Sequence, residues 1–87
     1  MAENDMKKVI LEKLKNYSEI DPAKIGEITS LVIGDKFARE VENQHFYTRQ
    51  VFTWLSELKA EGKVNSVNCV PTKDIDILIK TCQWFLM

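Results

Sequence analysis

Apolar residues return at helical spacing along most of this chain and leave that spacing only near the end. Met6, Val9, Ile10, Leu14 and Tyr17 fall on one stripe, with Lys7, Lys8, Lys13 and Lys15 mostly around its edges. This predicts a first helix over residues 4–18, capped by Asn4 or Asp5. Asp21-Pro22 predicts the next helix start, because Asp can accept hydrogen bonds from unpaired first-turn N–H groups and Pro at the first helical position has none to satisfy. That helix runs to Ile33 with Ile25, Ile28 and Val32 on one face, and Gly34 ends it. Asp35 then caps a short third helix through Phe37, Ala38 and Val41, and Asn43-Gln44 breaks the chain before the fourth.

The fourth helix begins near residues 45–47 and stops at Glu61-Gly62, since glycine takes a left-handed terminal position without a Cβ penalty. Turning about 100° per residue, it sends Tyr47, Val51, Trp54, Leu55 and Leu58 inward. His45, Arg49, Thr53, Ser56 and Ala60 face the other way, and Phe46 and Phe52 lie on the flanks. Val64, Val67, Cys69 and Val70 begin a β-prone segment with a different period. The remainder reads as a hairpin: a strand over 63–70, a turn at Pro71-Thr72-Lys73-Asp74, and a strand over 75–85 in which Ile75, Ile77 and Ile79 alternate. A helical stripe of Ile75, Leu78, Ile79, Cys82 and Phe85 or Leu86, with Thr72 as its cap, fits the same residues; period alone does not decide a short apolar run.

The run from Val51 through Leu55, Leu58 and Glu61-Gly62 to Val64 resembles the end of the recognition helix and the first wing strand of the winged helix-turn-helix family. The resemblance covers residues 35–85 best and favours the strand for 75–85. It implies an α+β fold: a winged helix with three to four helices followed by a C-terminal β-hairpin wing, as a single domain over residues 1–87. Two registers fit the first helix of the helix-turn-helix. It is either Phe37-Ala38-Arg39-Glu40-Val41, or Ile25-Gly26-Glu27-Ile28 with an insertion after it; the former departs less from the pattern. The resemblance further implies a DNA-binding transcriptional regulator, with the outward face of the fourth helix in the major groove of double-stranded DNA. Arg49 is then the base or phosphate reader, Thr48, Gln50 and Thr53 add hydrogen bonds, His45 and Tyr47 sit where the backbone is touched, and Lys73 stands at the wing tip. Lys36, Lys63 and Lys80 are additional charges within the same region.

The charge balance weakens this expectation. The net charge is −1 across 87 residues, and only Arg39 and Arg49 are arginines, whereas duplex binding draws mainly on basic groups neutralising phosphates. The alternative on the same fold is a protein-interaction module or accessory subunit. Aromatics at Phe46 and Phe52, and the apolar Trp84-Phe85-Leu86-Met87 cluster, are its candidate contacts; the cluster needs either the chain's own core or a second subunit, so a homodimer is an open expectation. The two partners separate by placement: Lys36, Lys63, Lys73 and Lys80 gathered beside Arg49 favour DNA, whereas a bare face of Phe46, Phe52 and Trp84 favours protein. RNA is a third partner that the residues do not distinguish from DNA.

Each candidate also has a plainer reading. Arg49 on an exposed helix face is more often a solvated charge, Tyr47 and Trp54 are in core phase, and Lys73 is an ordinary turn residue beside Asp74 and Asp76, which repel phosphate. No nucleophile elbow, phosphate loop or dinucleotide fingerprint is present, so no catalytic residue is expected. One histidine and two cysteines without tight spacing do not make a metal site, and no cofactor is implied. Cys69 and Cys82 are expected as free thiols, since a continuous hairpin turning at Thr72-Lys73 sets Cys69 opposite Asp76. The composition, 45% hydrophobic and 29% charged, is that of a globular domain. No apolar run suffices for a membrane span, and residues 1–8 lack the apolar core of a signal peptide, so the expected location is cytoplasmic.

Overall fold

The stripe of Met6, Val9 and Ile10 forms α1 (Glu3–Lys13), which tightens into a 3-10 turn at Leu14–Asn16. The computed structural model describes residues 3–87. A two-residue strand, β1 (Ala23–Lys24), follows, and α2 (Ile25–Ile33) starts directly from it. Gly34, at φ 78°, donates its N–H to Ser30 O at 2.9 Å and turns the chain into α3 (Asp35–Arg39). A 3-10 turn at Val41–Asn43 leads to α4 (Gln44–Ala60). Gly62, at φ 76°, ends α4 by donating to Lys59 O, while Lys63 N–H donates to Leu58 O; only a residue free to take positive φ closes a helix this way. Then come β2 (Val64–Val67), α5 (Ile75–Thr81) and β3 (Gln83–Leu86).

The sheet is antiparallel with β3 in the middle, in the order β1-β3-β2. Ala23 lies opposite Trp84 on one side, and Val64 through Val67 run opposite Leu86 through Gln83 on the other. The core lies between this sheet and the three longer helices. Ile10 and Leu14, Ile28 of α2, Val51, Leu55 and Leu58 of α4, Val64 and Trp84 are all buried within it. Each fully buried aliphatic contributes roughly 1.5–3 kcal/mol relative to exposure. The terminal cluster turns inward: Trp84 and Phe85 are buried, and Phe52 packs edge-to-face on Trp84 at 5.7 Å. The chain's own core therefore takes most of the surface expected of Phe52, Trp84 and Phe85.

The α+β class, the presence of the first, third and fourth helices and the inward face of α4 agree with the sequence reading, although Trp54 is only half-buried, α1 ends at Lys13 with residues 4 and 5 inside it, and Gly34, not Asp35, stands at the cap of α3. Three expectations are corrected. Asp21-Pro22 does not start a helix; Ala23 and Lys24 are held extended by pairing with Trp84 and Gln83, so the helix begins at Ile25, three residues after Pro22. The strand over 75–85 is instead a helix followed by a short strand. Thr72 does not cap that helix. Asp74 does, with its carboxylate accepting from the N–H groups of Asp76 and Ile77, while Thr72 Oγ1 accepts from Asp74 N–H. Ile75 and Ile77, which alternate in sequence, are largely exposed; Ile79 alone is buried from α5. Finally, Cys69 and Cys82 are joined in a disulfide. The hairpin is interrupted: Val67 pairs with Gln83, residues 70–81 leave the sheet, and both cysteines stand just past the last pair.

Candidate nucleic-acid interface

The outward face of α4 is built by its inward one. Tyr47, Val51, Leu55 and Leu58 fix the rotation of the helix in the core, and the half-turn opposite must then carry His45, Arg49 and Thr53 to solvent, with Gln50 exposed beside them. Arg49 and His45 are four residues apart and point the same way, so they meet one partner. Asp76 of α5 supplies it: its Oδ1 lies 3.4 Å from His45 Nε2 and 3.9 Å from Arg49 Nη1. That oxygen is covered by the two side chains yet accepts no hydrogen bond. All three groups are about half exposed, so the attraction is screened and contributes little to stability. It does put a carboxylate where a phosphate would have to sit.

The remaining predicted residues divide clearly. Thr48 and Thr53 spend their hydroxyl protons within the helix, donating to His45 O and Arg49 O at 3.0 Å each. In these rotamers they offer lone pairs, which suit a base amino group and not a phosphate oxygen. Gln50 is exposed and makes no hydrogen bond among the described residues, so its amide is free to donate and accept. Tyr47 is buried, with the Lys36 ammonium 5.8 Å from its ring centre, and acts in packing. Lys73 is exposed in the loop between β2 and α5, outside any hairpin tip.

The lysines do not all gather at Arg49. Lys36 lies over Tyr47 near the start of α4. Lys80 lines a small depression of about 230 Å³ with His45, Thr48 and Asp76. Lys63 is at the far end of α4, 3.3 Å from Glu61. The aromatic face is also reduced: among Phe46, Phe52 and Trp84, only Phe46 is strongly exposed, at 60%. Phe46 borders a groove of about 470 Å³ floored by Met6, Val32, Ile33 and Trp54.

Sequence reasoning set Asp76 beside Lys73 and missed its place against His45 and Arg49. The signal was present in the helical stripe of 75–82: with Ile79 inward, a helix puts Asp76 one turn earlier on the same side, facing α4. Among the described residues no group of His, Cys, Asp and Glu is placed to hold a metal ion, and no helix is long and apolar enough to cross a membrane. Comparison with known proteins returns no match: no protein-family model, no curated protein and no solved structure is significantly similar to the chain.

Proposed function

We propose that this chain is a winged-helix domain that binds duplex DNA through the outward face of α4. The observation that carries the reading is the order of its parts. Helices come first and two antiparallel strands, β2 and β3, come last and pair with each other, as the helices and wing of the resemblance would; β1, which pairs with β3 on its other side, and α5 are additions to it. In that arrangement α4 is the reader, and it carries Arg49, with a guanidinium able to pair with a guanine edge although Asp76 lies 3.9 Å away, and Gln50, unpaired among the described residues, with an amide suited to adenine. The wing departs from a plain hairpin, because α5 occupies it and brings Asp76 against Arg49.

The reading has a quantitative consequence. With Asp76 offsetting part of the charge of Arg49, α4 has few phosphates to neutralise. Affinity should therefore fall only gently with salt, with a log–log slope of about −2 to −4. Anisotropy of a labelled mixed-sequence duplex, titrated across a salt series with wild type and Arg49→Ala, tests it. Binding that weakens in the variant, with a slope shallower by about one, supports α4 as the reader. Absence of binding at the lowest salt removes the DNA reading.

A second reading, a protein-interaction module on the same fold, is favoured by the exposed ring of Phe46 beside the groove of Met6, Val32 and Ile33. Phe46→Ala separates the two: it leaves duplex binding unchanged if α4 reads DNA through Arg49.

A further inference from the structure

A broad groove lies away from the Arg49 face of α4, between α1 and the end of the sheet where β2 begins and β3 finishes. It measures about 600 Å³, within the range of roughly 300–1,000 Å³ that buries small ligands. Its floor is apolar: Leu11 and Leu86, both half-buried, and Met87, which is exposed. Its rims are cationic: Lys8 and Lys15 on the α1 side and Lys63, itself 3.3 Å from Glu61, on the other, with Glu12 the carboxylate of the lining. Lys8 and Lys15 are seven residues apart, two helical turns or roughly 10 Å. Neither has an ion-pair partner among the described residues. The neighbouring Lys7 is different, being held by Glu57 at 2.8 Å and Glu61 at 3.0 Å.

We propose that this lysine-rimmed groove docks an acidic amphipathic segment of a partner protein, its apolar side chains on Leu11, Leu86 and Met87 and its carboxylates on Lys8, Lys15 and Lys63. Charge complementarity selects the occupant. A second copy of the chain meeting this surface about a two-fold axis puts two lysine-rich rims into one interface, an excess of like charge that is repulsive. A nucleic acid finds no aromatic ring in the lining on which a base can stack. An amphipathic helix fits both the apolar floor and the cationic rims, since its apolar residues recur on one face with charges alongside. The inference is independent of whether α4 binds DNA.

The test uses the full chain, isotopically labelled for amide NMR. The probe is a synthetic helical peptide with leucine at i, i+3, i+4 and i+7 and glutamate elsewhere. The control is the same peptide with glutamine replacing glutamate. The expected result is saturable shifts concentrated at Lys8, Leu11, Lys15, Lys63 and Met87, and at least about tenfold weaker binding of the glutamine peptide. The Lys8→Glu/Lys15→Glu variant, whose changes lie on exposed side chains, should lose a similar factor while keeping its far-ultraviolet spectrum. Shifts located elsewhere, or equal binding of the two peptides, would overturn the proposal. So would groove shifts that appear on concentrating the protein alone, which would make a second copy the occupant. Binding to phosphatidylserine vesicles without binding to the peptide would assign the groove to lipid and overturn it equally.

Discussion

Reducing the Cys69–Cys82 bridge should remove about 3 kcal/mol of stability. The two cysteines are 13 residues apart. Closing a loop of that length in the unfolded chain costs about 10 cal/mol/K of entropy, or about 3 kcal/mol at 25 °C; the bridge imposes that cost beforehand. For a domain of this size each kcal/mol moves the melting temperature by about 4–8 °C, so the reduced protein should melt about 12–24 °C lower. That is a large share of a total stability of about 5–15 kcal/mol.

Reduction is a better perturbation than substitution. Cys82 is buried in the core, so Cys82→Ser adds the cost of a buried hydroxyl to the loss of the link, whereas the reduced thiol packs as before. The assay is urea unfolding followed by the fluorescence of Trp54 and the buried Trp84, with and without a dithiol reductant. Thiol titration of the native and urea-unfolded protein runs alongside. The bridge predicts no reactive thiol before reduction and two after it. Two thiols in the unreduced, unfolded protein would refute the bridge. No reactive thiol but a stability change under about 1 kcal/mol would refute the loop-entropy reasoning and leave the bridge standing.

Three further outcomes follow from named contacts. Asp76→Asn should tighten duplex binding about threefold at low salt, measured by anisotropy; the Coulomb energy of a unit pair at this separation in water is about 1 kcal/mol, reduced further by exposure. Asp74→Ala removes the carboxylate that accepts from Asp76 and Ile77 N–H, and should cost about 1 kcal/mol in urea unfolding, with faster amide exchange confined to residues 75–81. The Lys7 cluster sets a pH dependence at both ends: hydrogen bonds to Glu57 and then Glu61 push the Lys7 ammonium up from 10.5 to about 12, and Lys7 followed by Lys63 holds Glu61 below its ordinary 4.5. A raised lysine stabilises fully below its unfolded value, so that contribution is lost as pH rises from about 10.5 through 12. A depressed carboxylate stabilises above its unfolded value, so the Glu61 contribution is lost as pH falls below 4.5. Lys7→Met should flatten the alkaline arm of a melting-temperature profile against pH; an unchanged alkaline arm would count against the cluster.

The helices were legible because their cause is local. α4 announces itself through Val51, Leu55 and Leu58, and Gly34 and Gly62 occur where positive φ is needed. What the sequence hid depends on pairing across the chain. Ala23 and Lys24 read as a helix start after Pro22, and only Trp84 and Gln83 across the sheet make them a strand. The strand over 75–85 and the free thiols are one error with one cause. Ile75, Ile77 and Ile79 alternate as a strand would, but residues 70–81 leave the ladder, and Asp74 offers a better cap than Thr72. Once those residues leave, Cys69 and Cys82 are brought together at the base of the excursion. The same departure puts Asp76 on Arg49, so the most consequential contact of the candidate site depended on the least legible segment.

Where the positive charge lies then bears on what the molecule does. A duplex needs cations beside the reading helix, yet Arg49 shares Asp76 with His45. Among the described residues only Lys80 stands next to them, whereas Lys8 and Lys15, without ion-pair partners, belong to the α1 side. If α4 reads DNA, its affinity has to come from base edges through Arg49 and Gln50 more than from phosphates, and the binding should discriminate sequence better than it resists competition. If the dominant interaction is instead the lysine-rimmed groove, electrostatic attraction belongs to an acidic partner and salt should weaken that complex first. Crossing the two perturbations separates these cases. Arg49→Ala should change duplex binding and leave peptide binding alone, and Lys8→Glu/Lys15→Glu should do the reverse. A groove variant that abolished duplex binding would mean that the DNA lies along α1, and the assignment of α4 as the reader would fall.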